Sequence, residues 1–526
     1  MVRARCICAL AALSLSAPAV TRAQAYTPDT LAGSYRNPII FADYSDPDVV
    51  RVGEDFFMTA SSFESVPGLP ILHSRDLVHW TIVNHAVRRL GPDFDVPQHG
   101  NGIWAPSIRY HAGYYYIYYG DPDRGIYVVK SRDPRGTWAA PVLVKAAKGW
   151  IDPCPLWDDD GNAYLVHAFA NSRAGIKSVL HVNRLSADGM KVLDEGTLVF
   201  DGHAHHPTIE GPKFYKRDGW YYIFAPAGGV STGWQTVLRS RNVLGPYEDR
   251  VVMAQGHSAV NGPHQGGWVE LTNGEGWFIH FQDVGARGRI VHLQPLTWRA
   301  DGWPVIGSTP DSGGVGEPVM IHALPRTGAR SRGVPQTSDD FSGKQLGLQW
   351  QWQANPQVGW FSLDAKQGSL RLFAKPLPSD TSNLWIAPNV LFQKLPAPSF
   401  TATTDVTPVH GEMRAGLTVF GTDYAWIGVS MKGSAMSVVQ VVAQNAPAGG
   451  RERIVAGVLL DAKHVVLRAT CDSLCTFSYG TDTRHLTPLG VPFTPKAGRW
   501  VGAKLGLFTV GASGHADFDF LHIEPQ

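Results

Sequence analysis

Three carboxylic acids stand at matching points of a repeated pattern. Asp46 opens Asp46-Pro47-Asp48-Val49-Val50-Arg51-Val52, Asp152 opens Asp152-Pro153-Cys154-Pro155-Leu156-Trp157, and Glu210 opens Glu210-Gly211-Pro212-Lys213-Phe214-Tyr215. A further copy, Ala105-Pro106-Ser107-Ile108-Arg109-Tyr110, carries alanine at that point. An acid before Pro or Gly is also a common turn former. Turn chemistry gives no reason, however, to prefer the same end of the same strand in three copies. Clustered like charges must be used or neutralised, which marks a functional site. Two such carboxylates suit a reaction in which one takes a proton from water while the other gives one to a leaving oxygen, as in cleavage of a glycosidic bond.

The elements that must position these acids repeat with them. Each copy reads as an apolar strand, a Gly- or Asp-containing turn, then an aromatic strand such as Phe56-Phe57-Met58, Tyr114 to Tyr119, Ala163 to Val166 or Trp220 to Phe224. A fifth copy runs Gly267-Trp268-Val269-Glu270-Leu271, a turn, and Trp277-Phe278-Ile279. Each hairpin is followed by a second, as at His73 to Trp80, Lys130 to Pro134 and Arg239 to Asn242. Four strands in a period of roughly 50 to 60 residues is the pattern of a β-propeller. One such sheet cannot bury both its faces, so neighbouring blades must stack around an axis. Five units predict five blades between Ser34 and Gly307, with the starts of the innermost strands converging at one end of the central channel.

Beyond Gly307 the chain changes character. Ser308 to Thr337 is rich in Gly, Pro, Ser and Arg and reads as a linker or wrapping segment. From Asp339 many short alternating strands predict a β-sandwich. The expected organisation is therefore all-β: a leader over 1–25, a five-bladed propeller over 26–307, a linker over 308–338 and a sandwich over 339–526. The leader expectation rests on Arg3 and Arg5, the short apolar run Cys8 to Leu15, and Ala23-Gln24-Ala25 as a cleavage site. That run is too short to span a bilayer. It predicts a secreted or periplasmic protein with no membrane partner.

Composition narrows the function classes. With 46 basic and 45 acidic residues and no basic stripe, nucleic acid is excluded as a partner. Cys154, Cys471 and Cys475 remain after the leader; the last two lie close enough to staple a short loop, and Cys154 sits inside an apolar strand as a buried thiol. No Cys/His spacing fits zinc. Asp158-Asp159-Asp160 lacks the spaced ligands of a calcium loop and reads as a solvated turn.

Several stretches together resemble glycoside hydrolase family 43. They are Asn37-Pro38-Ile39 through Asp48, Ser61-Ser62-Phe63 through Leu77, Trp104-Ala105-Pro106-Ser107, Ile151-Asp152-Pro153 and Glu210-Gly211-Pro212. The resemblance spans the mature chain, and its second half is similar to the concanavalin-like jelly-roll domain of the β-xylosidase and α-L-arabinofuranosidase branch. It implies an inverting, exo-acting hydrolase of terminal arabinofuranosyl or xylosyl residues on plant cell-wall oligo- and polysaccharides. Asp46 would be the general base, Glu210 the general acid, and Asp152 the third acid that orients Glu210 and raises its pKa. Inversion implies that Asp46 and Glu210 stand roughly 6.5–9.5 Å apart, leaving room for water. The resemblance further implies that His264 reaches the channel and a hydrated calcium there, and that Arg289 contacts sugar hydroxyls. Phe63 and Trp104 are expected as sugar platforms and Phe508 as a residue by which the sandwich closes the pocket. Asp340 and Asp519 are candidate ligands for a structural calcium. No organic cofactor is implied.

Two other readings compete. Fructan and sucrose hydrolases share the propeller but carry an Asn-Asp-Pro-Asn-Gly type segment, where this chain has Tyr44-Ser45-Asp46-Pro47-Asp48. A carbohydrate-binding propeller without catalysis would ordinarily have lost one of the three acids.

Overall fold

A computed structural model describes residues 24–30, 33–309, 314–378 and 383–526. The leader expected over 1–25 lies outside the described residues except for Gln24 and Ala25. The regular secondary structure of the described residues is nearly all strand. Residues 48–306 form five four-stranded antiparallel sheets, each hydrogen-bonded in chain order. Their innermost strands are Asp48–Val52, Trp104–His111, Trp150–Trp157, Lys213–Arg217 and His264–Glu270. The second strands, such as Tyr114–Asp121 and Gly276–Asp283, are buried almost throughout. A blade packs on both its faces, so these strands read as continuous apolar runs rather than alternating ones. Phe57, Ile71, Ile108, Ile117 and Val129 join blades one and two, and Phe224, Val237, Phe278 and Leu296 join blades four and five. Burying each of these side chains contributes about 1.5–3 kcal/mol to holding the ring together.

The ring closes through the start of the chain. Ile39 N–H donates to Val291 O (2.8 Å) and Val291 N–H to Ile40 O (3.0 Å), so residues before blade one extend blade five. Ser34–Arg36 pairs with Ile321–Ala323, and Ser331 is bonded to Arg75 and Asp76. The Gly- and Pro-rich segment after blade five thus wraps along the propeller.

The remainder forms two seven-stranded sheets packed face to face. Their shared core includes Trp352, Leu372, Leu417, Ile427, Leu467, Leu505, Leu507 and Leu521. Cys471 and Cys475 are disulfide-bonded, and Cys154 is a buried free thiol. The two domains dock directly. Val66 and Trp352 exchange backbone hydrogen bonds (3.0 and 2.6 Å), and Lys504 of the sandwich reaches Glu64 (3.4 Å) and Ser65 Oγ (3.0 Å) of the propeller. Gly502 lies so close to the propeller that a Cβ would stand 2.6 Å from Gly288 N. Its N–H donates to Asp43 (2.9 Å), and Ala503 N–H to Ala286 O (2.8 Å). These bonds fix the loop that precedes strand Lys504–Gly511 against blade five.

Candidate active site

The backbone at the head of each innermost strand takes one shape in all five blades. Asp46, Ala105, Asp152, Gly211 and Gln265 have φ of 54°, 35°, 58°, 59° and 27°. Ladder pairing shifts register at this point in blades two, three and five. A left-handed residue beside such an irregularity turns its side chain away from the sheet. The repeat address therefore corrects the sequence-based alignment: in blade four it is held by Gly211, and Glu210 lies one residue earlier. His264 likewise precedes Gln265. The three acids still meet. Asp46, Asp152, Glu210, His264 and Arg289 line one cavity of about 150 Å³ with Phe63, Trp104 and Trp500.

Around Asp46 the donors converge. Ser61 Oγ (2.5 Å) and Ser45 Oγ (3.0 Å) donate to Oδ2, and Arg289 Nη1 lies 3.2 Å from Oδ1. Arg289 also donates to Ser45 Oγ (2.8 Å) and packs over Phe281, so it fixes Asp46 as well as facing the cavity. Ser61 accepts in turn from Ala105 N–H (2.7 Å), which ties blade one to blade two. Sequence reasoning gave Ser45 and Ser61 no role, although both lie in the quoted motifs.

Glu210 meets His264, whose Nε2 is 3.1 Å from Oε1. Asp152 accepts from Gly211 N–H (2.7 Å). It is 3% exposed, whereas the Glu210 side chain is 27% exposed. Desolvation therefore falls on Asp152. Burial first, and then the neighbouring Glu210 charge, push the Asp152 carboxyl up to about 8. Asp152, beside Glu210, thus holds a proton at neutral pH.

The aromatic wall combines both domains. Phe63 and Trp104 meet edge-to-face at 6.2 Å, and Trp104 meets Trp500 at 6.1 Å. The expected Phe508 is not part of it. Phe508 lies mid-strand opposite Gly416 and is 0% exposed, packed against Trp426. Leu505 and Leu507 face the sandwich core; Phe508 and Val510 face the other side of the sheet, where Trp385, Phe392 and Trp426 cover them. The sandwich reaches the cavity instead through Trp500, on the loop anchored by Gly502.

Around His264, Asp340 and Asp519 the described residues offer no set of three or more protein ligands for calcium. Calcium takes six to eight oxygens from carboxylates, carbonyls and waters. His264 spends one ring nitrogen on Glu210, and its other nitrogen is buried without a partner. The axis just below carries the buried Lys213 ammonium and the Arg109 guanidinium. Asp340 is bonded to His522, and Asp519 to Lys366 and Ser369, so each has its own partner. Among the described residues no group of three or more His, Cys, Asp or Glu could hold a metal ion.

A five-bladed propeller with three acids on its axis, and a sandwich closing the cavity, defines a class of glycoside hydrolases. The model of glycosyl hydrolases family 43 matches residues 35–304, and that of the β-xylosidase C-terminal concanavalin A-like domain matches residues 338–524. The chain belongs to glycoside hydrolase family 43. It is similar to a putative β-xylosidase of Xylanibacter ruminicola, 41% identical over 91% of this chain and 86% of that protein. A non-reducing end α-L-arabinofuranosidase of Bacteroides ovatus is 31% identical over 74% of each chain. The crystal structure of a xylan β-1,4-xylosidase from Bacillus halodurans superposes with a TM-score of 0.82 at 25% identity, covering 93% of this chain and 99% of that one. The family match sets aside the fructan and sucrose reading.

Proposed function

We propose that this glycoside hydrolase removes terminal α-L-arabinofuranosyl or β-D-xylosyl residues from plant cell-wall oligosaccharides, with inversion, after export from the cell. The observation that carries the reading is the pairing of Asp46 and Glu210 on one small cavity, each fixed by its own partners. The names of the relatives support both sugars. The cavity's size suits one terminal residue.

In this mechanism a water molecule lies between Asp46 and the anomeric carbon. Asp46, oriented by Ser45, Ser61 and Arg289, takes its proton as the oxygen attacks. The bond from the anomeric carbon to the leaving oxygen breaks with its electron pair going to that oxygen, which takes a proton from Glu210. A bound sugar covers Glu210 and evens the burial of the pair, so the proton shared with Asp152 moves to the side facing the leaving oxygen. Asp46 ends protonated and Glu210 ionised, and exchange with solvent restores both.

Aryl β-D-xyloside and aryl α-L-arabinofuranoside hydrolysis tests the proposal. Asp46→Asn and Glu210→Gln should each lower turnover by about 10²–10⁴-fold, and proton NMR at early times should show the inverted anomer. Undiminished turnover in both variants, or a retained anomer, overturns it.

A further inference from the structure

Two residues beyond the repeat address, each blade sends one residue to the axis: Asp48, Ser107, Cys154, Lys213 and Gly267. The four that carry side chains are all 0% exposed. A Cβ on Gly267 would stand 2.4 Å from Asp48 Oδ1, so the tier is closed on that side by contact. This tier lies directly beneath the catalytic acids and carries one cation, Lys213.

The partners of Lys213 leave its charge uncompensated within the tier. From blade four, Nζ crosses to blade two and donates to Pro106 O (2.9 Å) and Ser107 Oγ (2.8 Å). Neither acceptor is charged. Asp48, the one carboxylate of the tier, has its charge answered by Arg109, which pairs with Oδ2 at 2.6 Å, donates to Cys154 Sγ (3.0 Å) and lies over the Tyr215 ring, while Asp48 Oδ1 is buried without a hydrogen-bond partner. A buried ammonium is costly unless opposite charge stands near it. The remaining negative charge near Lys213 is that of the acids above. Asp152 stands two residues before Cys154 and Glu210 three before Lys213, and the positive charge of Lys213 opposes the burial that raises Asp152. The charges then balance. Arg289 answers Asp46, and Lys213 answers the singly protonated Asp152–Glu210 pair, whose outer face His264 covers.

We infer that Lys213 is the built-in counter-charge of the catalytic acids, a positioning residue that acts through Asp152 and Glu210. A divalent ion on the same axis would be repelled by the ammonium. The inference rests on hydrolysis at these acids, and its test keeps the two apart.

Lys213→Met removes the charge at nearly constant volume. With the positive field gone, every acid above it favours its protonated form. Both limbs of the pH profile of kcat/KM on an aryl glycoside should move to higher pH by about one unit, and activity on the acid side should fall about tenfold. A lysine that only fills space would lower activity without moving the limbs. In parallel, wild-type enzyme dialysed against a chelator should keep its turnover and show no bound metal by elemental analysis. Unmoved limbs in a folded Lys213→Met variant overturn the inference. So does loss of wild-type activity on chelation with recovery on adding calcium, which decides the matter even if the variant does not fold. An inactive wild type would fail the hydrolase reading and this inference with it; an active wild type with unmoved limbs fails this inference alone.

Discussion

Trp500→Ala isolates the contribution of the sandwich to the cavity. Trp500 is 50% exposed and its ring meets Trp104 edge-to-face at 6.1 Å. Its loop is anchored by backbone bonds from Gly502 and Ala503, which the substitution leaves in place. Alanine keeps a Cβ, so the left-handed backbone (φ 66°) is no easier or harder to hold. What is lost is one aromatic wall. An edge-to-face pair contributes about 0.5–1.5 kcal/mol, and a ring packed on a sugar face is of the same order. A loss of about 1 kcal/mol corresponds to about fivefold weaker binding. Trp500 touches neither the Asp46 donors nor His264, so the loss applies equally to bound substrate and transition state. KM should rise about fivefold with kcat within about twofold. Thermal unfolding should move little, because a half-exposed ring on a loop buries little apolar area. Steady-state kinetics on an aryl xyloside, with an unfolding scan, measures all three. An unchanged KM, or a large fall in kcat at constant KM, would refute the placement of Trp500 on the substrate.

The complementary change is Phe508→Ala. This ring is wholly buried against Trp426, so its removal should cost about 3–5 kcal/mol of stability and leave KM unchanged, as read by denaturant unfolding and kinetics. The domain junction should also show in acid. Burial alone would raise Glu64, but Lys504 and His99 hold it down to about 2 from 4.5. Its contribution, about 3 kcal/mol, is fully present above the unfolded value near 4.5 and is lost as pH falls toward 2. Lys504→Met should therefore unfold at a lower temperature at pH 6 and lose less on acidification; melting curves that stay parallel from pH 6 to 3 would contradict this.

How much of this was legible in sequence depended on what repeats. The five blades were readable because the same strand-turn-strand unit recurs, and each copy corrects the noise of the others. The offset of Glu210 was not, because matching the copies by their acids puts Glu210 itself at the address. Aligned on Pro47, Pro106, Pro153 and Pro212 instead, they place Gly211 at the shared address, as the left-handed backbone requires. Proline fixes the chain after that residue and marks the backbone register, whereas an acid marks only the chemistry. Lys213 was hidden for a related reason. Its meaning lies in the tier formed with Ser107 across the axis, more than a hundred residues away. Trp500 depends on a longer relation still. Alternation within Lys504–Gly511 sends Leu505 and Leu507 to the core and so removes Phe508 from solvent, but which loop then meets the cavity is set by Gly502 against Gly288. Repetition reveals what one unit does alone; the pairing of Lys213 with the acids, and of Trp500 with Trp104, arises only when units are closed into a ring and docked.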